Sequence, residues 1–206
     1  MIPAILIGRE GSTGFPGKNV YPLLGRPMMV YPILAAKDSK HIDEIYVSTD
    51  SEKIKEIARS HGCKIIDRPA YLCTTEARCE DVFIHACDEI KKDLPAGEEI
   101  EMAPLLMCNA VMITGKILDE GIEALRKSPE YDSAVTVSRY NMFSPLRARK
   151  IGDDGLLHPF VPHEVVGDLK KMDSDRDSQG DSWFADMGVS IIRLRNLADI
   201  ENGLLP

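Results

Sequence analysis

The sequence lacks the features that would tie it to nucleic acid or to a membrane. Its formal net charge is −8 at pH 7, whereas binding to a nucleic-acid backbone requires a basic face. It has no apolar run of about 18 residues and no charged-then-apolar leader. The sequence therefore predicts neither a membrane span nor a secretory signal, and we expect a cytoplasmic protein.

The number and spacing of the cysteines do not indicate disulfide bonds. The five cysteines are odd in number and include no C-x-x-C pair, which disfavours a disulfide framework or a structural zinc site. We therefore expect reduced thiols, with Cys63, Cys87 and Cys108 in the core. The 206 residues, of which 44% are hydrophobic, suffice for one domain with a substantial core.

A glycine-rich segment near the amino terminus is the most informative feature present. It carries two fixed positive charges, Arg9 and Lys18, and its glycines recur at every third position: Gly8, Gly11, Gly14 and Gly17. Glycines allow positive φ and expose backbone N–H groups, and two flanking cations can clamp a polyphosphate. The segment predicts a phosphate site, and the alternative is a surface turn with two solvated charges.

Two familiar phosphate loops do not fit this segment. A Walker A loop needs a glycine five residues before Gly17 and a hydroxyl after the lysine, but Ser12 and Asn19 stand there. A dinucleotide-binding G-x-G-x-x-G fails on spacing, and Pro16 obstructs a helix starting inside the loop. We therefore expect the loop to stay extended over its ligand.

Hydrophobic periodicity predicts an α/β fold, a mainly parallel doubly wound (Rossmann-like) sheet with ligands at the carboxyl ends of the strands. Predicted strands are 4–7, 45–48, 64–67, 104–107, 134–137 and 189–192, and predicted helices are 52–61, 81–91 and 117–127. Pro27 suits the first turn of a further helix, which Pro32 should loosen or kink. From 139 to 186 the pattern loses its period, so this part is either an ordered arm or a flexible acidic loop.

The glycine-rich segment resembles that of the cytidylyltransferases that activate acidic sugars, the CMP-sialic acid and CMP-Kdo synthetase family. Its R-x-G-S-x-G-x-P-x-K-N pattern is matched at each fixed position by Arg9, Gly11, Ser12, Gly14, Pro16, Lys18 and Asn19. Three further segments are similar to family motifs: 22–28 (PLLGRPM), 47–51 (VSTDS) and 68–72 (RPAYL). The resemblance is strong over about the first 90 residues.

The resemblance implies transfer of CMP from CTP to an acidic, nonulosonate-type sugar, with release of pyrophosphate. Arg9 and Lys18 would be catalytic, because they would hold the β and γ phosphates and stabilise the leaving pyrophosphate. Mg²⁺ is the implied cofactor. The alternatives are a nucleotidyltransferase that uses another NTP and a sugar phosphate, and a degenerate nucleotide-binding protein without turnover.

Further nucleotide-binding residues follow from the same resemblance. Matches to family positions around the phosphates, the ribose and the pyrimidine are Gly11, Ser12, Asn19, Arg68, Ala77 and Cys79. The family's irregular segment, here 139–186 of a single 1–206 nucleotidyltransferase domain, forms an arm that swaps across a homodimer. We therefore expect a dimer.

Two departures from the family limit these expectations. After the fourth strand the family usually reads L-Q-P-T-S-P-L-R-T, whereas 106–114 reads LMCNAVMIT and leaves Asn109 as the polar candidate for binding sugar. The family's late metal-binding aspartates and final helix have no counterpart in this sequence, so the metal ligands stay unassigned. Asp50 is either a site acid or the cap of the helix near Glu52, and the Asp81–His85 pair is more typical of structure than of a metal site.

Overall fold

The computed structural model describes residues 1–11, 14–165 and 175–197. The chain forms two compact units. The first contains residues 1–136 together with the chain from 187 onward, and the second contains 137–186. All residues whose side chains form the hydrophobic core belong to the first unit.

A six-stranded sheet organises the first unit, in the order β5-β4-β1-β6-β10-β7. Strands β5, β4, β1 and β6 are parallel to one another, whereas β10 runs antiparallel to β6. The mostly parallel α/β sheet is confirmed, and the antiparallel strand was not predicted. The strands are β1 Pro3–Ile7, β2 Pro22–Leu23, β3 Arg26–Pro27, β4 Glu44–Thr49, β5 Lys64–Asp67, β6 Met102–Met107, β7 Ser133–Arg139, β8 Arg149–Ile151, β9 Leu157–Pro159 and β10 Trp183–Arg193.

Helices cover both faces of the sheet. Alternate residues of β1 point to opposite faces, so Leu6 packs with α1, α2 and α4 while Ile5 packs with α3. Both faces of the strand are apolar because both are buried. Among the described residues no helix is long and apolar enough to cross a membrane. The helices are α1 Val30–Asp38, α2 Glu52–Ser60, α3 Cys79–Asp93 and α4 Gly115–Lys127.

The two prolines before and within α1 lie elsewhere than expected. Pro27 does not begin a helix; it belongs to β3, whose hairpin partner is Pro22 of β2. The helix begins only at Val30, which places Pro32 in its first turn. Backbone N–H groups of a first turn have no acceptor within the helix, so Pro32 costs no hydrogen bond and need not kink α1.

The second unit is organised by polar contacts. Asn141 is buried, its Nδ2 donates to Asp177 Oδ1 at 2.6 Å and to Asp181 Oδ1 at 3.1 Å, and its Oδ1 accepts from the Ser182 N–H at 3.0 Å. Within 137–165 and 175–186 no apolar side chain is buried. This unit therefore has specific hydrogen bonding without an apolar core.

The core of the first unit should dominate its stability. Met102 in β6 is fully buried, whereas Met112 is 84% exposed. We expect Met102→Ala to lower the free energy of unfolding by about 2 to 5 kcal/mol, because it leaves a cavity, and Met112→Ala to change it by less than about 0.5 kcal/mol. Urea unfolding followed by circular dichroism measures both, and equal losses would contradict this description of the core.

Candidate functional site

A cavity of about 430 Å³ opens at the carboxyl ends of β1 and β6. Three cations line it, and its described lining contains no acid, although the whole chain carries a net charge of −8. Apolar side chains supply much of the remaining wall. The lining residues are Ile7, Gly8, Arg9, Gly14, Phe15, Lys18, Asn19, Arg68, Leu72, Thr74, Ala77, Cys79, Val82, Met107 and Asn109.

The glycine-rich segment forms one wall of this cavity. It does not stay extended throughout, because Gly17 adopts a left-handed φ of 71° and starts a single 3₁₀ turn over Lys18–Val20. That turn buries Asn19, whose Nδ2 donates to the Arg9 carbonyl at 3.3 Å. Asn19 therefore joins the two ends of the segment, where Arg9 and Lys18 stand.

Gly8 allows three parts of the site to approach closely. Its N–H donates to the Ser48 carbonyl at 3.2 Å. A β-carbon at this position would lie 2.7 Å from Cys108 Sγ and 3.0 Å from Asn19 Nδ2, closer than van der Waals contact allows. The requirement for glycine here is therefore steric, and it comes from a cysteine and an asparagine that are both buried.

Arg68 is a buried cation beside the cavity. Its Nη2 donates to the Ser48 carbonyl at 2.6 Å, and its Nε donates to Ser48 Oγ at 3.3 Å. Burial lowers the pKa of the guanidinium, while Cys73 and the Asp50 carboxylate act in the opposite direction. No described carboxylate forms an ion pair with Arg68, so its charge is only partly compensated within the protein.

Thiols surround this guanidinium. Cys73, Cys79 and Cys108 are all free and all interact electrostatically with Arg68. Burial raises the pKa of each of them, to about 12 for Cys108. The three thiols are therefore neutral at physiological pH, and none supplies a thiolate to balance Arg68. All five cysteines of the chain are free, as expected.

Asp50 is not the cap of α2, contrary to one of the two expectations. The cap position is taken by Ser51, and Asp50 Oδ1 instead accepts the Glu10 N–H at 3.0 Å. The carboxylate thus ties the glycine-rich segment to the end of β4. Of the Asp81–His85 pair, the Asp81 carboxylate accepts from the Arg78 guanidinium at 2.6 and 3.1 Å, and His85 Nε2 lies 3.8 Å from Glu89 Oε1.

The residues present fit a magnesium ion that arrives with a nucleotide better than one held by the protein alone. Among the described residues no three His, Cys, Asp or Glu side chains form a metal-binding group. Mg²⁺ commonly takes one or two carboxylates plus substrate phosphates and water. Asp50 is a carboxylate near Arg68, and one of its oxygens is not engaged by Glu10.

The cavity brings together most of the residues expected from the sequence. Those that line it are Arg9, Lys18, Asn19, Arg68, Ala77, Cys79 and Asn109. Gly11 is exposed and lies outside the lining, and Ser12 lies outside the described residues. The segment after β6 has one part in the site and one in the core. Asn109 lines the cavity, whereas Ile113 packs on the core. Thr114 Oγ1 accepts the Ile117 N–H at 3.3 Å and so caps α4.

Sequence reasoning missed several participants. Phe15 lines the cavity and packs against Tyr21, with ring centroids 5.0 Å apart and ring planes tilted by 55°. Ser48 contacts both Gly8 and Arg68, although it was noted only as part of a motif. Its position at the end of a predicted buried strand was the available signal, since a polar residue there is well placed to face a ligand edge.

This architecture is a Rossmann-like α/β fold, in which nucleotides bind at the carboxyl edge of the sheet. Residues 3–153 match the family model described as cytidylyltransferase, and the chain belongs to that family. A solved structure of CMP:2-keto-3-deoxy-manno-octonic acid synthetase complexed with CTP covers 98% of this chain and 77% of its own, at a TM-score of 0.68 and 15% identity. Likeness at that identity establishes the fold alone.

Curated relatives share more of the sequence. The N-acylneuraminate cytidylyltransferase of Escherichia coli O18:K1:H7 is 30% identical over 140 residues, which are 68% of this chain and 32% of that protein. The 3-deoxy-manno-octulosonate cytidylyltransferase of Bdellovibrio bacteriovorus is 30% identical over 137 residues, 65% of this chain and 49% of that protein. The chain thus spans between about a third and a half of these relatives' length.

The close approach at Gly8 gives a matched pair of glycine substitutions. Gly8→Ala should lower the melting temperature and weaken nucleotide binding, because the new methyl group displaces Cys108 or Asn19. Gly14→Ala should leave the melting temperature unchanged, since no heavy atom of the described residues, its chain neighbours aside, lies within 4 Å of its hypothetical β-carbon. Thermal unfolding with and without CTP measures both effects. A Gly8→Ala protein with the native melting temperature and the native shift of that temperature on adding CTP would refute the steric requirement.

Proposed function

We propose that this protein transfers CMP from CTP to an acidic sugar of the nonulosonate type and releases pyrophosphate. The observation that carries the proposal is the cavity itself, which has three cations and no described acid in its lining. In an acidic chain this arrangement selects a polyanion, and membership of the cytidylyltransferase family supports CTP as that polyanion.

The phosphate side of the reaction falls to Arg9 and Lys18. Neither has a described carboxylate within ion-pair distance, so both cations are available to phosphate oxygens. A sugar hydroxyl attacks the α-phosphorus, and a new O–P bond forms as the bond to the bridging oxygen breaks. Pyrophosphate leaves with the electron pair, and the hydroxyl proton passes to water. Arg9 and Lys18 stabilise the charge that develops on the leaving group.

Magnesium is part of this proposal. Asp50, together with the triphosphate, would hold the ion, which supplies charge neutralisation along the phosphate chain. Asp50 would then have two tasks, since it also holds the Glu10 N–H.

The two other walls correspond to the base and the sugar. Arg68 has guanidinium N–H groups beyond those that bind Ser48, and carbonyl oxygens of a pyrimidine are suitable acceptors. Ala77 and Cys79 also line the cavity. We assign Met107 and Asn109, which line the cavity at and just after the end of β6, to the sugar. Asn109 offers an amide that can bind a hydroxyl or a carboxylate, whereas Met107 offers an apolar surface.

A pyrophosphate-release assay tests the activity directly. The protein is incubated with Mg²⁺, one of CTP, UTP, GTP or ATP, and a panel of nonulosonate, octulosonate and sugar-phosphate acceptors. We expect release only with CTP and an acidic sugar. Release with another nucleotide and a sugar phosphate would replace the proposed substrates, and CTP binding without release from any acceptor would indicate a nucleotide-binding protein.

Three variants assign the walls of the cavity. Arg9→Ala and Lys18→Ala should each weaken CTP binding by about 1.5 to 3 kcal/mol, the range for hydrogen bonds to charged groups. Lys127→Ala, whose side chain is 78% exposed, is the control and should bind CTP normally. Asn109→Ala should raise the KM for the sugar and leave CTP affinity unchanged. Isothermal titration calorimetry and steady-state kinetics distinguish these outcomes.

We also propose that the protein is a homodimer and works in the cytoplasm. Unit 137–186 buries no described apolar side chain, yet it exposes Ile151 at 75% and Leu157 at 72%. These two residues are direct cross-strand partners in the β8–β9 hairpin and so share one face. An exposed apolar face of this kind is typical of a protein interface. Five free cysteines support a reducing compartment.

Light scattering after size-exclusion chromatography tests the dimer. The native protein should elute as a dimer at micromolar concentration, and Ile151→Asp should shift it towards monomer by placing a charge in the apolar face. Lys150→Asp changes charge on the other face of the same strand and should leave the dimer intact. A monomeric native protein, or equal behaviour of the two variants, would contradict an interface at this hairpin.

A further inference from the structure

We infer that Ser48 is a positioning residue that orients Arg68 towards the nucleotide base and thereby sets the preference for CTP. This inference rests on the proposed function and deepens it. Ser48 is not among the residues that line the cavity, and its hydrogen bonds to lining residues, apart from the β-sheet pairing with Ile7, go to Gly8 and Arg68 in the described contacts. Its effect on the nucleotide must therefore pass through these two neighbours.

The hydrogen bonds of Ser48 fix the plane of the guanidinium. Arg68 Nη2 donates to the Ser48 carbonyl and Arg68 Nε donates to the Ser48 hydroxyl, so two N–H groups of the guanidinium point to one residue. A planar group held at two points cannot rotate about its long axis without losing one contact. The remaining N–H groups of Arg68 are thus directed elsewhere, and Arg68 lines the cavity.

The setting of Ser48 makes this orientation rigid. Ser48 is fully buried in β4, where it pairs with Ile7 of β1 and Ile66 of β5. Its carbonyl accepts from Arg68 and from the Gly8 N–H, at the start of the glycine-rich segment. One backbone oxygen therefore fixes the distance between the base side and the phosphate side of the cavity.

Arg68 needs such an anchor because no described carboxylate forms an ion pair with it, and Asp50 compensates its charge only in part. The neighbouring thiols are neutral, and a buried cation with few partners gains from any acceptor it can reach. Without the Ser48 hydroxyl, Nε–H would be left buried and unpaired. The guanidinium would then turn to satisfy it, and the N–H groups that serve the base would move with it.

A double-mutant cycle tests the inference. Ser48→Ala removes the hydroxyl and keeps the carbonyl, and we expect CTP affinity to fall roughly tenfold, the scale of one hydrogen bond to a charged group. Affinity for inorganic tripolyphosphate, which has no base, should not change. In an Arg68→Ala background, adding Ser48→Ala should have no further effect on CTP affinity, because the two residues act as one unit.

Two further variants control for folding and for loss of a buried hydroxyl. Ser51→Ala removes another buried serine hydroxyl just after β4, one that makes no capping bond, and should bind CTP as the native protein does. Arg68→Lys keeps the charge but loses the Nε–H contact to Ser48. It should weaken CTP binding at least as much as Ser48→Ala, and it provides the test if Ser48→Ala does not fold by circular dichroism.

The outcomes separate this inference from the proposed function. Native protein that binds tripolyphosphate but not CTP would contradict the proposed function. Native protein that prefers CTP, with a folded Ser48→Ala variant of equal CTP affinity, would overturn only the role of Ser48. A tenfold loss that persists in full in the Arg68→Ala background would also overturn it, because Ser48 would then act independently of Arg68. An Arg68→Lys protein with native CTP affinity would overturn it as well.

Discussion

The backbone of Gly8 is the constraint on which the rest of the site depends. Parallel pairing of β1 with β4 and with β6 brings three strand ends to one point. There the Gly8 N–H reaches Ser48, and the missing side chain makes room for Cys108 and Asn19. The glycine-rich segment can then fold back so that Asn19 reaches the Arg9 carbonyl. A larger residue at this junction would separate the segment from the sheet that supports it.

The electrostatics of the cavity follow from the same packing. Burial keeps the thiols near Arg68 protonated, because it raises the pKa of Cys73, Cys79 and Cys108. The polar environment of Arg68 therefore consists mainly of neutral groups and backbone carbonyls, which orient a cation without neutralising it. In an acidic protein, this is how positive potential can be kept at one place: the acids lie outside the cavity lining, and the cations inside it are left for the ligand.

Hydrophobic periodicity predicted most of the first unit, because short buried strands and amphipathic helices have clear local signals. Strand Lys64–Asp67 was predicted residue for residue, and α2 differs by one residue at its end. The direction of β10 carried no local signal, and its first half is exposed although Trp183, Phe184, Ala185 and Met187 are apolar. In the site, the glycine motif located Arg9 and Lys18. The contact between Ser48 and Arg68 joins residues 20 positions apart and depends on sheet register, which the sequence does not display.

The second unit is organised by hydrogen bonds, whereas the first is organised by an apolar core. Its polar network around Asn141 specifies a conformation, since each hydrogen bond has a defined direction, but the net stabilisation of such bonds is about 1 kcal/mol each. Ordering some 50 residues costs far more conformational entropy than that. The usual compensation is burial of apolar surface, and no described apolar side chain of this unit is fully buried within the chain. The exposed pair Ile151 and Leu157 is where that compensation is available, so an interface with a second copy would stabilise the unit and explain its composition together.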